Sequence, residues 1–405
     1  MLLINIEDVE PGMKVGALVI HPGAPDLALL KPGAELQPVI LARLRRLGIS
    51  QLWVEHDLTA DLDAAVAPGL TMVKVEVYHH LKQDLAQMAR QTISNAQIQT
   101  YRQAVTGLVS ELVATRDFAG LTDQLFASEG DQFTHSTNVA YLSILVGLEL
   151  KTYILEERSK HSGRRVDNMV SLGLAGMLHD IGKMGLSGKA SEHHEVLGVI
   201  AAQDLKEYKR HPLIAYQMLR KIEIPATAGQ AVLNHHQRFS GSGWPDMAEV
   251  TAGRLRGPLA GHRIHIFTRI VSAANVLDNL LRDAEGTQRP PVAALHDFAS
   301  PRFNGWFDPI VRLVVLRRIP PFAVGSQVHL SNGRPAVVTS PNTRQPCRPT
   351  VRLLDESTQT AEHKHATLDL EAHPELHITH YAGSEVGKWL FELPEGATSP
   401  RAAGY

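Results

Sequence analysis

The rhythm of hydrophobic and polar positions changes three times along the chain. Over Leu2 to Ile20, runs of Ile, Val and Leu are broken by Pro11-Gly12, and Pro22-Gly23 follows, a pattern of short strands and turns. Between Pro38 and Leu47 the apolar residues take helical spacing, and Gly48 supplies a stop. Gln51 to Val54 reads as a strand again. A small α/β module is therefore predicted over 1–57, with a linker over 58–72 that contains Pro68-Gly69.

From Val73 onward the spacing is helical. Val105, Leu108, Leu112 and Val113 are expected to share one apolar face. Similar patterns run through Val139 to Leu150, Val170 to Leu178, Pro212 to Lys221, Thr227 to Asn234 and Arg269 to Leu281, so 73–318 is predicted to be mainly α. After Pro320-Pro321 the runs shorten to Gln327 to Leu330, Arg334 to Ser340 and Thr350 to Leu354, with a turn at Asn332-Gly333. This predicts a small β module over 319–385. The remainder, 386–405, ends in a stretch rich in Pro, Gly and Ala and is expected to be a flexible tail.

Composition narrows the class of protein. A chain of 405 residues exceeds one compact core. The formal net charge of −2 gives no global basic field, so a nucleic-acid polymer is not an expected partner. The single Cys347 permits no intramolecular disulfide, which suits a reducing cytoplasm. Met1 to Glu10 lacks the basic start of a secretory signal. No run of about 18 apolar residues predicts a membrane span.

Histidine is abundant, at 21 residues, and it is the commonest metal-binding side chain. The sharpest local feature is Leu178-His179-Asp180-Ile181-Gly182-Lys183. An adjacent His and Asp at a helix end can place an imidazole and a carboxylate on one metal. His135 lies upstream on an amphipathic segment. Downstream stand His211-Pro212 and then His235-His236-Gln237-Arg238, followed by Gly241-Ser242-Gly243-Trp244-Pro245. Five histidines and one aspartate, at helix ends or in predicted helices, can line one cavity, and such sets suit iron, manganese or similar ions.

Together these residues, in this order, resemble the HD-GYP domain, a branch of the HD superfamily. The resemblance covers about 125–310. Residues 1–57 are similar to the small domain that often precedes HD-GYP domains, and Val324 to Gly333 resembles the β segment that often follows. It implies a mainly α HD-domain helical bundle flanked by the two small modules. The implied activity is a bacterial phosphodiesterase that hydrolyses cyclic di-GMP to pGpG or GMP with two divalent metal ions. Carried over by position, His135, His179 and Asp180 hold one ion, and Asp180 bridges to a second held by His211, His235 and His236. Asn275 takes the place of the family's last ligand. Lys183 and Arg238 are the implied phosphate contacts, with Asp180 and Lys183 as catalytic groups. Diguanylate cyclase (GGDEF) domains and a second copy of the chain are the implied protein partners.

The chain departs from the family at Asn275, where an Asp is usual, at Gln237 for Glu, at Ser240 for Asp, and at Trp244 for the Tyr of Gly-Tyr-Pro. An amide at 275 leaves Asp180 as the one anionic ligand. These losses point to an alternative: a weakened or inactive domain that senses cyclic di-GMP or binds a partner protein. The longer 246–260 segment leaves room for a third reading, hydrolysis of another nucleotide.

Overall fold

The computed structural model describes residues 1–22, 24–65, 68–88, 94–114, 132–159, 169–186, 196, 201–251, 253–283, 286–354 and 367–394. Strand β1 (Leu2–Asn5) pairs antiparallel with β4 (Gln51–Val54), Leu2 opposite Val54. β2 (Val19–His21) and β3 (Ala24–Leu30) form a second antiparallel pair. Helix α1 (Pro38–Arg46) starts on a proline, whose missing N–H costs nothing in the first turn, and ends among arginines that complement its dipole. Gly48 takes φ +76, the left-handed stop expected of it. Leu41 and Leu44 of α1 pack on Ile4, Leu36, Leu52 and Val54.

The central region is helical. Helices α2 (Pro68–Met88) and α3 (Asn95–Ala114) precede α4 (Gln132–Glu149), α5 (Lys151–Ser159) and α6 (Met169–Leu178). Then come α7 (Ala202–Tyr208), α8 (His211–Leu219), α9 (Ala226–Asn234) and the short α10 (Met247–Val250). Helices α11 (Ile266–Leu280), α12 (Pro291–Ala299) and α13 (Pro309–Arg318) complete the bundle. Helix α4 is buried from Thr134 to Gly147, as a helix surrounded by others must be. It lies close to α6 because α6 carries glycine at the crossing: a Cβ on Gly176 would press on the backbone of Ala140. A buried ionic knot ties α5, α11 and α13. Arg269 reaches Glu157 at 2.5 Å and Asp308 at 2.7 Å, and Asp308 also caps α13.

The C-terminal module is a six-stranded antiparallel sheet in the order β10-β9-β5-β6-β7-β8. Its strands are β5 (Gln327–Leu330), β6 (Pro335–Ser340), β7 (Thr350–Leu353), β8 (Thr367–Asp369), β9 (Ile378–Tyr381) and β10 (Ser384–Glu385). The sheet docks on the N-terminal module. The Leu3 N–H donates to the Gly325 carbonyl at 2.8 Å, and Arg352 grips Asp61 at 2.7 and 2.9 Å. The protein is thus mainly α, with a helical bundle between a small strand-and-helix module and a small β sheet.

Three local expectations need correction. Val113 does not share the face of Leu112; it is 63% exposed, because a neighbour on a helix turns about 100° away. The stretch 58–72, read as a linker, holds a 3-10 run at Asp57–Ala65 and the start of α2. The flexible tail is not found at its expected start, 386. Residues 386–394 are packed: Val386 and Leu393 are buried, and the Phe391 N–H donates to Cys347 Sγ at 3.4 Å. Their apolar side chains cover the β module and reach the helical core, which outweighs chain-end freedom. Residues 395–405 lie outside the described residues.

Candidate metal centre

Four helix ends converge on one buried point. His135 sits in the first turn of α4. His179 and Asp180 follow the last residue of α6. His211 opens α8, and His235-His236 follow α9. All six side chains are buried.

The ring nitrogens are oriented by one repeated device. His179 Nδ1 faces the Gly176 carbonyl at 2.8 Å, His211 Nδ1 the Tyr208 carbonyl at 2.7 Å, and His235 Nδ1 the Val232 carbonyl at 2.8 Å. Each partner lies three residues back in the chain. A carbonyl only accepts, so each Nδ1 carries the hydrogen and a neutral ring turns a bare Nε2 lone pair inward. For His135 the same service comes from Asp278, whose Oδ2 stands 2.7 Å from Nδ1. Burial would raise the Asp278 carboxyl, but its hydrogen bond with His135 and the nearby Arg282 outweigh this and hold it low.

The inward nitrogens face one another. His135 and His179 approach Nε2 to Nε2 at 3.2 Å, and so do His211 and His235. Burial pushes the His211 imidazole down to about 4 and lowers His235 as well, so these rings are neutral near pH 7. Two bare lone pairs at that distance repel unless a cation lies between them.

Asp180 completes the arrangement. Its Oδ2 is 3.4 Å from His179 Nε2 and 3.6 Å from His135 Nε2, while Oδ1 is 3.1 Å from His211 Nε2 and 3.6 Å from His235 Nε2. Oδ1 is buried without a hydrogen-bond partner among the described residues. Burial would raise this carboxyl, but His179 and Lys183 outweigh it and hold it well below the usual range. Two groups result: His135, His179 and Asp180, and then Asp180, His211, His235 and His236, each with donor atoms within 4.8 Å of one another. The buried His/Asp set fits divalent metal, and the shared carboxylate joins the two groups.

The other sequence candidates take varied positions. Lys183 is buried, with Nζ 2.7 Å from Asp180 Oδ2. Arg238 stacks its guanidinium 3.3 Å from the centre of the Trp306 ring. Asn275 is buried on α11, and its Oδ1 accepts from Asn279 Nδ2 at 2.9 Å. Gln237 pins the following loop: Nε2 donates to the Pro245 carbonyl at 2.8 Å, and Oε1 accepts from the Leu259 N–H at 2.9 Å. Ser240 pairs with Ser242, 2.9 Å between hydroxyls. Trp244 stacks flat on His236 at 3.9 Å between centroids.

Sequence reasoning passed over three contributors. Asp278, three residues after Asn275, orients His135. Gln132 donates to the Asp180 carbonyl at 2.7 Å. Tyr208 places its hydroxyl 3.4 Å from His236 Nε2. The available signal for Tyr208 was its position, three residues before a histidine at a helix start.

Helix ends that bring five imidazoles to one shared carboxylate define a helical protein with a buried site fit for divalent metal. Part of the chain matches known families: residues 155–311 match the HD domain, and residues 327–384 match the KOW domain associated with it. His135 precedes the matched stretch and reaches the cluster through α4. The cyclic di-GMP phosphodiesterase PA4108 of Pseudomonas aeruginosa is 24% identical over 354 residues, 80% of this chain and 77% of that protein. The cyclic di-GMP phosphodiesterase response regulator RpfG of Xanthomonas campestris is 29% identical over 139 residues, 33% of this chain and 32% of its own. Among solved structures, Bd1817, an HDG"Y"P protein from Bdellovibrio bacteriovorus, overlaps 78% of this chain and 98% of its own, with a TM-score of 0.42 and 16% identity. No single helix among the described residues is long and apolar enough to cross a membrane.

Proposed function

We propose that this protein is a metal-dependent phosphodiesterase that hydrolyses cyclic di-GMP to pGpG or GMP in bacterial second-messenger signalling. The observation that carries the reading is the sharing of Asp180 between two histidine groups. The names of the Pseudomonas and Xanthomonas relatives supply the substrate. Two divalent ions, iron or manganese, would be held by His135, His179 and Asp180 and by Asp180, His211, His235 and His236, with Asn275 beside them. Bound there, the ions supply Lewis acidity to a phosphodiester and stabilise charge on its oxygens. The protein's own part is to orient the imidazoles through carbonyls and Asp278, and to exclude water by burial. Lys183 places its Nζ beside Asp180, where it would meet a phosphate oxygen as a point charge, and Arg238 is the second phosphate contact. The bundle over 73–318 carries this chemistry in the bacterial cytoplasm. The flanking modules over 1–57 and 319–385 regulate it. Diguanylate cyclase domains and a second copy of the chain are its protein partners.

The Asn275 amide favours a second reading, a cyclic di-GMP sensor with little turnover. Its oxygen is engaged by Asn279, and Asp180 is left as the one anion in both groups. Purified protein supplied with Fe(II) under anaerobic conditions, or with Mn(II), decides between them when hydrolysis and metal content are measured on one sample. Metal-dependent turnover lost in Asp180→Ala supports the enzyme. Metal and nucleotide bound without turnover selects the sensor. Neither bound overturns both.

A further inference from the structure

Tyr208 is the one phenol whose hydroxyl meets the cluster among the described contacts. It closes α7, and its own carbonyl holds His211 Nδ1 at 2.7 Å, so its backbone is tied to the site. The residue is 2% exposed. Its ring packs against the His211 imidazole, 4.8 Å between centroids, and edge-on against the Trp244 indole at 5.6 Å. These contacts fix the ring and leave its hydroxyl 3.4 Å from His236 Nε2.

That spacing is the spacing of the donors themselves. In the four-residue group, Asp180 and His211 stand 3.1 Å apart, His211 and His235 3.2 Å, and Asp180 and His235 3.6 Å. An oxygen at the same remove from His236 takes the place of one more donor. Charge points the same way. Asp180 is the one anion in both groups, and Lys183 Nζ already sits 2.7 Å from it and 5.4 Å from the centre of the Tyr208 ring. Lys183 offsets the charge of Asp180, so a divalent ion added there gains from a second oxygen anion.

We propose that Tyr208 is a ligand of the four-residue group, its phenol oxygen binding the same metal as Asp180, His211, His235 and His236. On binding, a metal–oxygen bond forms and the O–H bond breaks, its proton passing to solvent. Iron accepts tyrosine oxygen as a ligand in other proteins. The inference rests on the metal reading of the cluster and is independent of the substrate.

Iron spectroscopy tests it. The whole protein is loaded with Fe(II) without oxygen, its iron content is measured, and it is then oxidised with dioxygen. The expected result is a visible phenolate-to-iron charge-transfer band, with phenolate modes enhanced in resonance Raman. Both should be absent from Tyr208→Phe carrying iron, and the variant should hold Fe(II) roughly tenfold less tightly. Iron bound by the wild type without such a band overturns the phenol ligand while the metal site stands. A band that persists in Tyr208→Phe also overturns it. A wild type that takes up no iron overturns both this inference and the metal reading. The wild-type spectrum alone suffices to refute, so misfolding of the variant does not shelter the proposal.

Discussion

Four of the five imidazoles at the centre are set by one partner on the far nitrogen. For three of them the partner is a backbone carbonyl, which no substitution of a side chain removes. His135 is the exception, because it depends on the Asp278 carboxylate at 2.7 Å. Asp278→Ala should therefore free the His135 ring and weaken metal binding roughly 10–100-fold, with the other three rings undisturbed. Competition against a chelator of known affinity measures this, and unchanged affinity would mean that packing alone orients His135. Asn275 offers the opposite experiment. It is buried one helical turn before Asn279, whose amide it accepts. A carboxylate there would keep that acceptor and add a further anion near the cluster, so Asn275→Asp should bind Mn(II) more tightly and raise any turnover of cyclic di-GMP. A variant that binds metal no better shows that position 275 is out of reach of the ions.

The helices bring these residues together only because glycines let them approach. Gly182 lies in the 3-10 turn after Asp180, against the start of α8. A Cβ there would collide with the His211 carbonyl oxygen and crowd the Ala215 N–H at 2.7 Å. Backbone cannot yield as a side-chain tip does, so Gly182→Ala should push α8 away from Asp180. Loss of bound metal together with a stability cost on the order of 2–4 kcal/mol is expected, read from metal content and thermal melting. A variant that melts and binds metal as the wild type does would sink this account. The contrast between Gly182 and Val113 shows what a chain reveals by pattern. Periodicity locates α3 and β5 because burial repeats at 3.6 or 2 residues, but it blurs at edges, where Val113 turns to solvent. The cluster's residue types were legible as His-Asp and His-His pairs at predicted helix ends. Their mutual facing was not, since it depends on carbonyls three residues back, on Asp278 from α11 and on Tyr208 from α7. Nothing in the residue types marks those partners. The packed stretch 386–394 was missed for a related reason: Trp389, Leu390, Phe391 and Leu393 have no repeat, only a sheet to cover.

The two ends of the molecule meet, and the helical bundle is hung from their junction. Val324 and Val337 belong to the core of the N-terminal module, and Arg352 clasps Asp61 across it. Directly after that clasp α2 enters the bundle and buries Lys74, which is fully inaccessible and stacks its Nζ 4.7 Å from the centre of the Tyr141 ring. Burial drives the Lys74 ammonium down to about 7, against a smaller opposing pull from Asp278. The unfolded chain therefore binds a proton at Lys74 between pH 7 and the ordinary lysine value of 10.5 that the folded chain has given up. Stability from this residue must rise as pH climbs through that window, and below pH 7 the folded protein bears the full cost of a buried charge. Lys74→Met keeps the length of the side chain and removes the charge. It should stabilise the protein at pH 6 by on the order of 1–3 kcal/mol and gain progressively less as pH rises toward 10. Melting temperatures of both proteins across pH 6 to 10, with metal content held equal, give the comparison. A constant difference across that range would mean that Lys74 keeps its proton throughout, held by Tyr141 and Asp278. In that case α2 would plant a permanent charge beside the carboxylate that orients His135, and would join the flanking modules to the metal centre electrostatically.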